Sequence, residues 1–150
     1  MEHTNVRTYF VIYGNDFPIE HVTETLGINP TRYYKKGDEI IRQYNPKLRS
    51  TEKRFRKDTC WELGTEYVET LFADEQAKVV IAPLLNKISE LLRIKEKYDC
   101  KFILMQVPVI ENGHCPALGY DNELIDFCSK IGASIEIDLY ANPYESDSEY

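Results

Sequence analysis

Five consecutive residues, Arg32-Tyr33-Tyr34-Lys35-Lys36, put three cations beside two aromatic rings. That combination can neutralise a phosphate or carboxylate while a ring stacks on a base, and such stacking is worth about 1 to 3 kcal/mol per base in single-strand binders. The same residues also suit a solvated turn whose tyrosines pack on a sheet. A second basic stretch runs from Arg42 to Lys57, R-Q-Y-N-P-K-L-R-S-T-E-K-R-F-R-K. It holds seven cations, Arg54 and Arg56 among them, and only Tyr44, Leu48 and Phe55 as bulky anchors, too few to build much core. The stretch is either a mobile loop or a basic flap that closes over an anionic ligand or docks on an acidic partner. Trp61, the only tryptophan, follows directly, as a core anchor or as the wall of a pocket under the flap. The candidate ligand-binding set is therefore Arg32, Tyr33, Tyr34, Lys35, Lys36, Arg54, Arg56 and Trp61.

Other chemistry-bearing residues are less well placed. The histidines, His3, His21 and His114, form no metal set, because zinc needs three or four ligands at a recognised spacing. His114 and Cys115 are neighbours, and adjacent strand residues point to opposite faces, so they cannot readily share a proton as a nucleophile and its base. Glu136 and Asp138 share one face of the closing strand and could work as an acid and a base about 7 Å apart; a solvated sheet face, or a counter-charge to the flap, explains them as well. Glycine-rich phosphate loops, G-x-S-x-G and H-E-x-x-H are absent. Cys60, Cys100, Cys115 and Cys128 contain no C-x-x-C pair and read as reduced thiols, with Cys60 and Cys128 serving as small hydrophobes.

Charge is unevenly spread. The formal net charge is -7, yet residues 31–57 carry ten basic against three acidic side chains, leaving 8 basic and 22 acidic for the rest. A basic island in an acidic body argues against duplex DNA, whose phosphate track would be repelled over most of the surface, but a local patch can still hold a small anion. At 150 residues, with 43% hydrophobic and 29% charged residues, the chain has the profile of one soluble domain rather than a collagen, coiled coil or disordered chain. No apolar run approaches the roughly 20 residues of a membrane span, and Met-Glu-His-Thr-Asn lacks the features of a signal peptide, so a cytosolic location is expected.

The elements that must position these residues follow from pattern. R-T-Y-F-V-I-Y-G, from Arg7 to Gly14, suits a strand. Asp16 can cap a short helix with Pro18 in its first turn, Ile19, Val22 and Leu26 on one face and Gly27 at its end. These features recur at a constant offset of 105, as Gly119, Asp121, Leu124, Phe127, Ile131 and Gly132, which reads as a duplicated strand-to-helix unit. Thr59 to Gly64 returns the first unit to the sheet. Asp74 to Lys97 is a long amphipathic helix kinked or restarted by Pro83. Lys101 to Ile110 reads as a buried strand whose Pro108 belongs at an edge or bulge; Asn112-Gly113 turns it into a hairpin with residues 114–118. Ser134 to Tyr140 alternates as the last strand. The fold expected is α+β and ferredoxin-like, two split strand-helix-strand units with helices covering an antiparallel sheet. Residues 1–140 form one domain, and residues 141–150 an acidic, flexible tail.

Leu26-Gly-Ile-Asn-Pro-Thr, Lys36-Gly37-Asp38, Trp61, the long helix, Pro116 and the closing Ile135-Glu-Ile-Asp-Leu-Tyr140 carry a family resemblance. Over about residues 7 to 140 the chain resembles the bacterial and phage domain of unknown function numbered 4279. The resemblance implies no assigned reaction, cofactor or catalytic residue. By analogy, small proteins of bacteria and phages often act by binding, as immunity proteins that block a toxin or as factors that sequester a defence signal. The expectation is thus a non-catalytic binding protein without a cofactor, holding an anionic aromatic ligand such as a nucleotide, in a pocket that an oligomer can complete. One alternative is an immunity-type inhibitor whose acidic body covers a basic toxin or nuclease. The other is a nucleotide-processing enzyme acting through Glu136 or Asp138.

Overall fold

In the computed structural model, residues 3–41 and 52–144 are described; residues 42–51 of the expected flap and residues 145–150 of the expected tail lie outside them. Strand β1, Asn5–Gly14, shows the alternation its sequence demands: Val6, Thr8, Phe10 and Ile12 are buried on one face and Arg7, Tyr9, Val11 and Tyr13 lie half-buried on the other. Helix α1, Ile19–Leu26, buries Ile19, Val22 and Leu26 and stops at Gly27, whose φ of 66° glycine adopts without strain. Asp16 does not cap it. Pro18 occupies the cap position with no side-chain hydrogen bond, and the Asp16 carboxylate instead accepts from the Thr59 hydroxyl at 3.4 Å.

The chain next forms β2, Arg32–Tyr34, β3, Thr59–Gly64, and β4, Val68–Glu69. Helices α2, Ala73–Ile81, and α3, Ile88–Tyr98, are separated by a 3-10 turn over Ala82–Leu84 that contains Pro83, so the proline restarts the expected long helix. Strand β5, Lys101–Ile110, helix α4, Asn122–Ile131, and strands β6, Ala133–Ile137, and β7, Tyr140–Ala141, complete the order. The sheet runs β2-β3-β1-β5-β6, with β4 beside β1 and β7 beside β5.

The architecture is α+β, as expected, but the sheet is mixed. β1 is antiparallel to β3 and β5, and β2 to β3, whereas β6 and β7 run parallel to β5. A helix between β5 and β6 makes a crossover, the connection that parallel neighbours require. The first unit returns in β2, and Thr59–Gly64 then inserts between β2 and β1. Three polar and aromatic residues were too few for β2 to show as a period. Asn112 and Gly113 adopt the positive φ values of the expected turn, 49° and 71°, yet residues 114–118 form no strand; they are held instead by an Ala117–Phe72 bridge and by the Thr4 hydroxyl, which donates to His114 O at 2.7 Å. β7 takes the place beside the end of β5, and the Asn142 N–H donates to Ile110 O at 2.9 Å. Of the proposed repeat, the apolar helix face and the glycine stop occur in both α1 and α4, but the aspartate cap occurs only in α4, where Asp121 accepts from the Leu124 N–H at 3.0 Å and Gly132 ends the helix. Gly119 leaves no strand.

Pro108 is not in an edge strand, but it meets a local edge. The Gln106 and Ile110 carbonyls are taken by Asp138 and Asn142 on the β6–β7 side, and alternate residues aim their peptide groups alike. The missing N–H of Pro108 therefore points at the gap between β6, last paired at Gln106, and β7, first paired at Val109.

The core lies between one face of the sheet and the helices, and joins Phe10, Ile12, Trp61, Phe102 and Leu104 to Val22, Leu26, Ile81, Leu91, Ile94, Leu124, Phe127 and Ile131. A satisfied polar cluster closes one end of it: Gln106 donates to Ala73 O at 2.6 Å and to the Thr8 hydroxyl at 3.1 Å, and accepts from Tyr120 at 2.7 Å. Among the described residues no helix is long and apolar enough to cross a membrane.

Candidate functional site

Edge strand β2 distributes the basic and aromatic stretch over two faces. Its register with β3 pairs Arg32 with Glu62 and Tyr34 with Cys60 on the face away from the helices, and Tyr33 with Trp61 on the helix side. At the sheet margin Tyr33 is 59% exposed, whereas Trp61 is fully buried and donates its indole N–H to the Thr23 hydroxyl at 3.1 Å. Trp61 is thus a core anchor and is withdrawn from the ligand-binding set, because its side chain is sealed beneath α1 on the opposite face from Tyr34.

Two of the predicted cations are occupied by carboxylates. Arg32 donates to both oxygens of Glu66 at 2.7 and 2.9 Å and lies 3.9 Å from Glu62. Glu62 is itself held by Arg7 at 2.6 Å, in a pair whose side chains are only 13% and 12% exposed. Lys35 donates to Glu20, in the first turn of α1, at 2.7 Å; that contact raises the lysine pKa and lowers the glutamate's. Lys36 meets no carboxylate among the described residues; its ammonium donates to the Asn15 side chain at 3.0 Å.

Beyond Lys36 the chain turns at Gly37, φ 90°, and runs back along residues 54–56. The Gly37 N–H donates to Arg56 O, Arg56 N–H to Asp38 O and Ile40 N–H to Arg54 O, at 2.8 to 2.9 Å. The part of the basic stretch next to β3 is therefore an ordered, paired arm, which leaves Arg54, Arg56 and Lys57 at fixed places. Arg56 stacks 4.0 Å over the Tyr34 ring. Burial pushes the Tyr34 phenol up to about 12 and the Cys60 thiol beneath it also up to about 12, so both are protonated at neutral pH.

Two clefts flank Arg56. One, about 880 Å³, is lined by Lys36, Gly37, Ile40, Arg54, Phe55, Arg56, Lys57 and Asp58. Its lining holds four cationic residues and one acidic residue, together with Ile40 and Phe55, which is 53% exposed. The other, about 460 Å³, is lined by Arg7, Arg32, Tyr34, Arg56, Cys60 and Glu62 among others, and its two further arginines are the ones already paired. The larger cleft is the better anion site, because its charge is not spent inside the molecule.

Of the eight sequence candidates, Lys36, Arg54 and Arg56 come together in the larger cleft, and Arg32, Tyr33 and Tyr34 line the smaller. Lys35 lines neither, being turned to α1. Ile40 was not singled out, and Phe55 and Lys57 were named only as parts of the basic stretch; the backbone pairing of residues 37–40 with 54–56 is what brings them to one cleft. Arg7 was readable in principle, since it stands out of phase with Val6, Thr8 and Phe10.

The remaining candidates stand apart. His3 and His114 line a depression of about 300 Å³ with Glu69, and no three metal-ligating side chains converge among the described residues. Cys115 donates to Pro116 O and not to His114. Asp138 falls after the end of β6 and accepts from the Tyr140 hydroxyl at 3.1 Å, while Glu136 faces outward from β6 opposite Met105. All four cysteines are free, and Cys60, Cys100 and Cys128 are buried, as small hydrophobes are.

A family model described as a domain of unknown function, DUF4279, matches residues 4–142. No curated protein and no solved structure matches the chain.

Proposed function

We propose, for a chain that belongs to the DUF4279 family, a non-catalytic binding role: capture of an anionic ligand with an aromatic part, such as a nucleotide, in the cleft between residues 36–40 and 54–58. The observation that carries this reading is the convergence of Lys36, Arg54, Arg56 and Lys57 around Ile40 and Phe55, against the neutralisation of Arg32 and Lys35 by Glu66 and Glu20. Cations of this kind take phosphate oxygens, and the exposed Phe55 ring offers a stacking surface for a base. Free thiols throughout fit a cytosolic setting. The strand order β2-β3-β1-β5, with every neighbour antiparallel, supports reading this part as a ferredoxin-like core of interleaved split units, to which α4, β6 and β7 are added.

The test is titration calorimetry with a panel of mononucleotides and cyclic dinucleotides. At least one should bind, and Arg54→Ala with Lys57→Ala should weaken it about a hundredfold through two lost charge-assisted contacts. A panel without response removes the nucleotide reading. Recovery of a single protein partner indifferent to nucleotides would replace it with the inhibitor role.

A further inference from the structure

The basic cleft is elongated. In the arm, Asp38 pairs with Arg56, Glu39 with Phe55 and Ile40 with Arg54, the same register in which Arg32 meets Glu62 and Tyr34 meets Cys60. The arm therefore prolongs the β2–β3 ladder past Thr59, where β1 stops pairing with β3. In that register Lys36 is level with Asp58, and Arg54 lies roughly four residues farther out. At about 3.3 Å per residue, and allowing for the turn at Gly37, the two levels are on the order of 10 Å apart.

The cations along this length are held at different places. The Lys36 ammonium is tied to the Asn15 side chain at 3.0 Å, next to the sheet, and the Arg56 guanidinium to the Tyr34 ring. Arg54 and Lys57 meet no carboxylate among the described residues. Neighbouring acidic residues do not cancel the charge: Asp38 accepts from the Lys35 N–H at 2.8 Å, and Glu39 is not part of the lining. Only Asp58 counts against the four cations, which leaves a formal charge of +3. A single phosphate brings about two negative charges and meets one end of such a cleft. Phosphates in a row bring more charge and span its length.

We propose that the ligand of this cleft is a nucleoside di- or triphosphate, with its phosphates in a row between the Lys36 and Arg54 ends. This rests on the nucleotide reading above and narrows it from any anionic nucleotide to those with consecutive phosphates.

Titration calorimetry of the full chain at one salt concentration tests it, with the mono-, di- and triphosphates of adenosine and guanosine and a cyclic dinucleotide. At least one diphosphate should bind about tenfold tighter than the monophosphate of the same base, the gain expected from one more charge-assisted contact. Lys36→Met and Arg54→Ala remove exposed side chains at the two ends, and circular dichroism should show both variants folded. Each should weaken diphosphate binding about tenfold, and one of them should leave monophosphate binding within about twofold, because a single phosphate reaches one end only. Equal affinity for mono- and diphosphate overturns the inference. So does a cyclic dinucleotide that binds tighter than either, or a loss that is the same for both ligands in both variants. In these three cases the nucleotide reading stands, whereas a panel with no response at all removes both.

Discussion

Glu62 is the side chain on which the arginines of the sheet face converge: Arg7 lies at 2.6 Å on its buried side, and Arg32 at 3.9 Å on its wet side. Glu62→Gln would strand the Arg7 guanidinium, whose Nε already lacks a partner, in a nearly closed site. A loss of about 3 kcal/mol of stability is expected in chemical denaturation, the low end of the roughly 3 to 5 kcal/mol for breaking one half of a buried pair, since the amide keeps one hydrogen bond to the guanidinium. Glu66→Gln, at the exposed end of the same network, should cost under about 1 kcal/mol. Equal losses would show that burial does not set the strength here. This pair escaped the sequence reading because Arg7 and Glu62 are 55 positions apart and meet only through the β1–β3 register.

Helix α4 shows how one element ties others together. The Asp121 carboxylate accepts from the Leu124 N–H and lies 3.0 Å from the Lys78 ammonium on α2. The backbone bond first, and the lysine second, hold its pKa below the ordinary aspartate value. Its folded pKa is therefore lower than its unfolded one. The stabilisation is complete above the ordinary aspartate range and is lost as pH falls through the lowered value. Asp121→Ala should lower the melting temperature at neutral pH, and the wild-type and variant curves should converge in acid; a constant gap at all pH values would refute the assignment. This cap was legible from Asp121, Leu124 and Gly132 alone, since capping is a local matter of three or four residues. The matching cap at Asp16 failed because Pro18 starts α1 two residues later and tertiary contact draws Asp16 to Thr59. The hairpin after Asn112-Gly113 failed for a related reason: the turn is local, but the neighbour of β5 is chosen by competition, and β7 won.

For the whole molecule, the separation of a basic island from an acidic body has a measurable consequence. Ligand capture in the Lys36–Lys57 cleft should weaken by about an order of magnitude as salt rises from about 50 to about 500 mM, because the cleft is open and its cations are screened. A flat response would point to Phe55 and Ile40 rather than charge as the source of binding. The sequence alone determined where the cations are, which residues alternate along β1 and β5, where α1 and α4 stop and that the layers are helix on sheet, all of which depend on neighbours within a few positions. Tertiary structure alone decided that Arg32 and Lys35 are neutralised, that Trp61 is sealed under α1, that β6 runs parallel to β5, and that Arg54, Arg56 and Lys57 share a cleft with Lys36. Each of these turns on strand pairing between distant segments, and pairing is settled by which pair of edges buries the most surface and satisfies the most backbone groups across the whole chain.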